Sequence, residues 1–351
     1  MASYCESNAC IAPENSDREA SAHSSLVRGV KAVDVQHLLR DRVAMLTGGR
    51  DRQGRPLLTF PSRENAERTS LDELHMVLRY LHTIPSDEVK ERGFVVIMDM
   101  RRGMTWNAAK PILKVLQDHF AGSVHVVYII KPDRFWDKHR ASIAMPKYKF
   151  EVQMISSMNL QKYIDCSQLP SDFDGSLRYD HDEWLELRVA LEDVIWRSMD
   201  VLRGFDSLRN DMQNGQLPVD VDSARSALEE HTRIRKRLLN APVDKLEHDG
   251  QALTRRLAES SGVPASEQTQ TDVKSARSTS DSCDLSSRSS QGQLLNPDLA
   301  ICTPHIQQLL DRMRSTRQDL FNVWQARKQR LDQCFQLKLF EQDADKRLTR
   351  L

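Results

Sequence analysis

The feature that most constrains this chain is a change of apolar period near residue 181. Up to that point short continuous runs of large aliphatic residues, Gly93–Met98 and Val124–Ile130, alternate with segments whose apolar positions recur every three or four residues. Beyond it the spacing is helical throughout. Trp184, Leu187, Leu191, Val194, Ile195, Leu202, Phe205, Leu208 and Met212 form one stripe, and Ile306, Leu309, Leu310, Met313, Leu320, Val323, Trp324, Leu331, Phe335 and Leu339 form another. A buried run too short for a helix is a strand covered on both faces, whereas a one-sided stripe tens of residues long is a helix that must find partners. The chain is therefore expected to be an α/β domain followed by an all-α bundle, within the roughly 150 residues per domain that 351 residues allow.

Within the first part, Val35, Leu38, Leu39 and Ala44 suggest a helix over Val33–Leu46, closed by Gly48-Gly49. Strands are expected at Arg55–Phe60, Gly93–Met98, Val124–Ile130 and Lys149–Met154, with helices over Leu71–Leu81 and Trp106–Phe120. This alternation implies crossover connections and a mostly parallel sheet. In the second part the first helix should end at Asn214-Gly215. The next should open at Asp220 or Asp222 and break at Pro242, which has no N–H to donate and restricts its predecessor. The expected division is a disordered tail over 1–30, the α/β domain over 33–180, two bundle helices over 181–258, a disordered Ser-rich linker over 259–298, and a third helix over 299–351.

Composition removes several functions. Fifty Lys and Arg balance fifty Asp and Glu, so the chain lacks the excess cationic charge that drives nucleic-acid binding. The six Cys (Cys5, Cys10, Cys166, Cys283, Cys302, Cys334) form no CxxC pair and suit a reducing cytosol. No apolar h-region follows Met1, and no apolar stretch reaches the roughly 18 residues a spanning helix needs. Zinc-hydrolase and nucleophile-elbow motifs are missing, and Gly48–Gly54 lacks the GK[ST] ending of a phosphate loop and reads as a turn. No cofactor and no catalytic residue is expected. Asp99–Arg102 sits at the carboxyl end of a strand, where open α/β sheets place ligands, and reads first as a strand-end cap.

Extended stretches of the sequence resemble one family. Arg42–Pro61, Ile84–Arg101, Val126–Trp136 and Leu169–Trp184 in the first part, with Ala227–Leu253 and Ser315–Lys346 in the second, are similar to the amino-terminal region of Trio/kalirin-type Rho guanine-nucleotide exchange factors. The resemblance implies an α/β CRAL-TRIO lipid-binding domain followed by a spectrin-type three-helix bundle. It also implies a non-catalytic regulatory and targeting role. The partners it suggests are membrane phospholipid or phosphoinositide, and cytoskeletal or receptor-associated proteins met through helix surfaces. A Rho-family GTPase would be engaged only through exchange domains that nothing here resembles, and the chain reads as a fragment or short isoform. The implied location is cytoplasmic, peripheral at the inner face of the plasma membrane. Exchange activity carried by missing domains, or a pure protein-interaction scaffold, are the other readings.

The best site candidate is the segment after the strand Val124–Ile130, which the resemblance places around a pocket gate. Lys131, Arg134, Lys138, Arg140, Lys147 and Lys149 outnumber Asp133 and Asp137 there, with the aromatic residues Phe135, Trp136 and Tyr148 between them. Cations interleaved with aromatic rings suit a membrane interface. The proposed lipid-binding residues are Lys131, Arg134, Phe135, Trp136, Lys138, Arg140, Lys147 and Lys149. At about 1 kcal/mol per surface cation their net excess gives roughly 4 kcal/mol, about millimolar affinity, so a headgroup site or additional contacts would have to supply the rest.

Overall fold

Every residue of Phe94–Asp99 is buried, as in a central parallel strand covered on both faces: Val95 and Ile97 pack with Leu160, Ile164, Leu169 and Phe173 from the segment after the last strand. In the computed structural model, which describes residues 29–63, 66–102, 104–131, 147–260 and 296–349, this run is β3. It lies among β1 (Met45–Arg50), β2 (Pro56–Phe60), β4 (Val124–Ile130) and β5 (Glu151–Ile155), hydrogen-bonded in the order β1-β2-β3-β4-β5. β2 to β5 are parallel, and β1 runs antiparallel to β2. The expectations for residues 1–28 and 261–295 lie outside the described residues.

The helices of this part are α1 (Gln36–Arg40), α2 (Leu71–His82), α3 (Asp87–Glu91), α4 (Trp106–His119) and α5 (Ser157–Leu160). A capping box starts α2: Ser70 Oγ accepts from Glu73 N at 3.2 Å, and Ser70 N donates to the Glu73 carboxylate at 2.8 Å. Thr105 caps α4 by accepting from Asn107 N at 3.2 Å. Leu74, Val77, Leu78 and Leu81 of α2 and Ile112, Leu113 and Leu116 of α4 are buried, and the two helices pack against each other.

One expectation fails here. The helix read over Val33–Leu46 stops at Arg40, Arg42 takes a left-handed backbone (φ 52°), Ala44 lies in the bend ahead of β1, and Leu46 belongs to β1. Gly48 and Gly49 lie inside β1 instead of ending a helix. Contacts from far along the chain explain this: Arg50 N donates to Gln168 Oε1 at 3.0 Å, and a Cβ at Gly49 would stand 2.1 Å from the Gln168 carbonyl oxygen. The turn read over Gly48–Gly54 narrows to the β1–β2 connection, where Asp51 Oδ1 accepts from Gln53 N at 2.9 Å and Arg55 N at 2.7 Å.

The remaining helices are α6 (His181–Asn214), α7 (Val221–Asn240), α8 (Val243–Ser260), α9 (Pro297–Ala300) and α10 (Cys302–Leu348). α6 ends at Asn214, and Ala241 is extended (ψ 132°) ahead of Pro242, separating α7 from α8. Asp220 caps α7 reciprocally with Ser223, at 2.7 and 3.2 Å. α10 has 47 residues, about 70 Å of helix.

The chain divides into two compact units, Met1–Arg188 with Asn296–Asp298, and Val189–Leu295 with Leu299–Leu351. The second is an antiparallel helical bundle. Cys334 lies beside Pro218 and Arg314 pairs with Glu247, so α10 runs opposite to α7 and α8. Arg237–Asp211 at 3.5 Å and Arg197–Asp249 at 3.2 Å orient α6 opposite to the same pair. Its most specific contact joins α7 to α10: His231 Nε2 donates to Trp324 O and Trp324 Nε1 to His231 O, both at 2.8 Å, with the rings stacked 4.9 Å apart. Trp324 is thus bundle core, as expected. Trp184, read into the same core, belongs instead to the first unit, stacked on His181.

Candidate functional site

The carboxyl ends of the parallel strands gather the polar chemistry of the first unit. Asp99, the last residue of β3, is 4% exposed and bound bidentately by Arg101: Nε donates to Oδ1 and Nη2 to Oδ2, each at 3.0 Å. A single residue, Met100, separates acid and base, so the turn after β3 folds the guanidinium back onto its own strand end, and Arg101 N also donates to Asp99 Oδ1 at 2.9 Å. The other edge of the guanidinium reaches Asp174 Oδ2 at 3.1 Å, Ser157 Oγ at 3.3 Å and the Asp172 carbonyl. Ser157, in the first turn of α5 after β5, donates to Asp174 Oδ2 at 2.5 Å. Phe173 lies beneath the guanidinium with its ring centre 6.0 Å away.

Electrostatics follow from this closure. The Asp99 hydrogen bonds hold the Arg101 guanidinium charged, above its ordinary range. The Ser157 hydrogen bond, and then the Arg101 charge, hold the Asp174 carboxyl below the usual carboxylate range. Asp174 sits in a left-handed conformation (φ 59°), which Asp tolerates better than most residues. The arrangement is a structural clamp that ties the ends of β3 and β5 to the segment 172–174. The strand-end cap read from Asp99–Arg102 is therefore present. Its distant partners, 56 to 73 residues away in sequence, left no local signal.

Lys131 follows β4 at the same edge. It is 4% exposed, and desolvation pulls its ammonium down from the ordinary lysine value. Lys147 and Lys149 are exposed, and Lys149 N donates to Gln117 Oε1 at 2.8 Å. Tyr148 stacks on Phe150 with ring centres 5.4 Å apart. The candidates Arg134, Phe135, Trp136, Lys138 and Arg140 lie outside the described residues. Of the three that are described, the fold sets two cations facing water and withdraws the third.

Two concavities flank the sheet. A cavity of about 20 Å³, lined by Leu58, Leu78, Leu81, His82, Phe94, Leu116, Phe120, Ser123 and Val124, has room for a water and not for an acyl chain. An open cleft of about 230 Å³ between α2 and α4 is lined by Leu71, Asp72, His75, Lys114, Val115, Asp118 and His119. The His75 and His119 rings lie 4.2 Å apart there, and burial and the neighbouring imidazole lower the His75 pKa. Among the described residues no group of three or more His, Cys, Asp or Glu could hold a metal ion. No described helix is long and apolar enough to cross a membrane.

The strand order, its antiparallel edge and the polar carboxyl rim define a mixed five-stranded α/β domain. Residues 54–182 match the family model described as a divergent CRAL/TRIO domain. The chain is also similar to longer proteins, one of them named for a SEC14 domain and spectrin repeats. It is 39% identical over 182 residues to mouse SEC14 domain and spectrin repeat-containing protein 1, covering 51% of this chain and 26% of that protein. It is 30% identical over 318 residues to human guanine nucleotide exchange factor DBS, covering 89% and 26%, and 28% identical over 324 residues to human probable guanine nucleotide exchange factor MCF2L2, covering 90% and 27%. The chain thus spans about a quarter of the length of the curated relatives it matches. The architecture read from the sequence, a CRAL-TRIO domain followed by spectrin-type helices as in Rho exchange factors, is the one these findings support.

Proposed function

We propose that this chain is a non-catalytic regulatory and targeting module of a Rho exchange-factor type of protein, binding anionic phospholipid or phosphoinositide through its CRAL-TRIO domain. The bundle would meet protein partners through its helix surfaces. The observation that carries this reading is the CRAL/TRIO match over residues 54–182; the exposed Lys147 and Lys149 stand ahead of β5, at the amino ends of the parallel strands and away from the carboxyl rim. A site at the inner face of the plasma membrane fits the same chemistry, since that leaflet is anionic. Exchange activity, which the names of two relatives state, belongs in this reading to parts of such a protein outside this chain.

Contact is expected at the rim of the domain, through the cations that follow β4 in the sequence. Rim contact is electrostatic, so it must weaken as salt shortens the screening length to about 8 Å at physiological strength. The test reverses Arg134 and Lys138 together to Glu and measures co-sedimentation with phosphoinositide vesicles across a salt series. Reversing two charges removes about 4 kcal/mol, a loss of hundreds-fold at most. Binding by the folded variant as tight as that of the unmodified chain at every salt concentration overturns the assignment of these residues.

A further inference from the structure

Asn296–Asp298 belongs to the α/β unit although roughly a hundred residues separate it from the end of that unit's main segment. It is held there by a formed recess on β1. Asp298 is 1% exposed and takes both Arg50 guanidinium nitrogens, Nη2 at 2.5 Å and Nη1 at 3.4 Å, while Arg50 Nη1 also donates to the Gly49 carbonyl at 3.2 Å. Asn296 Oδ1 accepts from Asp298 N at 3.0 Å, so the three residues form a turn closed by its own side chain. Gly48 makes room for that turn: a Cβ on it would stand 2.7 Å from the Asn296 carboxamide. Asn296 Nδ2 is buried without a hydrogen-bond partner, so the fit leaves one donor unspent.

An acid this buried, paired with a cation from a distant strand, is how a protein recognises a peptide side chain, and here the peptide is the chain's own. We propose that the Gly48–Arg50 recess is a docking site for an Asn-Pro-Asp turn, occupied in cis by Asn296–Asp298. A partner segment carrying such an acidic turn must displace the internal one. A tethered segment has an effective concentration on the order of mM, so a free peptide making the same contacts hardly competes with it. Weakening the internal ligand opens the site.

The test uses the full chain and a labelled peptide of residues 296–300. Asp298→Lys should bind the peptide at least about tenfold more tightly than the unmodified chain, and its β1 amides should exchange faster with solvent. The double variant Arg50→Glu/Asp298→Lys, with the pair remade in reverse, should exclude the peptide and regain slow exchange. The proposal is overturned if folded Asp298→Lys binds the peptide no better than the unmodified chain. It is equally overturned if the double variant exchanges as fast as the single one, a comparison that stands even where peptide binding is too weak to read.

Discussion

At the scale of single residues the α/β unit depends on groups that are safe only when paired. Asp99 is buried at the end of the central strand, and its charge is tolerated because Arg101 meets both oxygens. Arg101→Ala removes both guanidinium bonds and keeps only the backbone N–H of residue 101 on that carboxylate, and breaking such a buried pair costs about 3 kcal/mol; urea unfolding of the variant checks the figure. Histidine supplies a pH dependence. His181 Nε2 donates to the Leu39 carbonyl at 2.6 Å, and its Nδ1 accepts from Tyr179 Oη at 2.7 Å, which requires the neutral ring. Burial lowers the pKa of His82, His181 and His231 in the folded state. The unfolded chain therefore takes up protons first as pH falls through about 6.5, and stability falls with it. The unfolding midpoint should drop between pH 7.5 and 5.5, and His181→Gln should shallow that slope.

At the scale of elements, legibility in the sequence followed the range of the interactions. Strands β2, β3 and β4, helices α2 and α4, and the break at Pro242 were readable because each is specified by its own apolar spacing or by a proline. β1 was not: Val35, Leu38 and Leu39 carry a helical spacing up to the strand, and two glycines resemble a stop signal. What makes those glycines strand residues is the approach of Gln168 and Asn296, which no local window contains. Gly49→Ala should accordingly destabilise the α/β unit by about 1 to 3 kcal/mol, since a backbone oxygen is the obstacle and cannot rotate away. In the bundle, Trp324→Ala removes a buried ring and its bond to the His231 carbonyl, and should cost about 3 to 5 kcal/mol. Thermal unfolding followed by far-ultraviolet circular dichroism reads both losses.

At the scale of the whole molecule, the change of period near residue 181 separates two kinds of packing, and the comparisons attach a family to the first. The candidate site was legible only as a composition. Cations and aromatic residues cluster after β4, but the burial of Lys131 and the Arg101 clamp depend on the folded edge of the sheet. On this account the chain alone should not accelerate nucleotide release from any Rho-family GTPase; acceleration at micromolar chain would contradict that part. The most direct measurement of the central claim is sedimentation of the intact chain with vesicles of neutral lipid, of phosphatidylserine, and of phosphoinositide. The account predicts co-sedimentation with the anionic vesicles at low salt, least with neutral lipid, and release as salt is raised. A chain that stays in the supernatant with every anionic composition at low salt would contradict it.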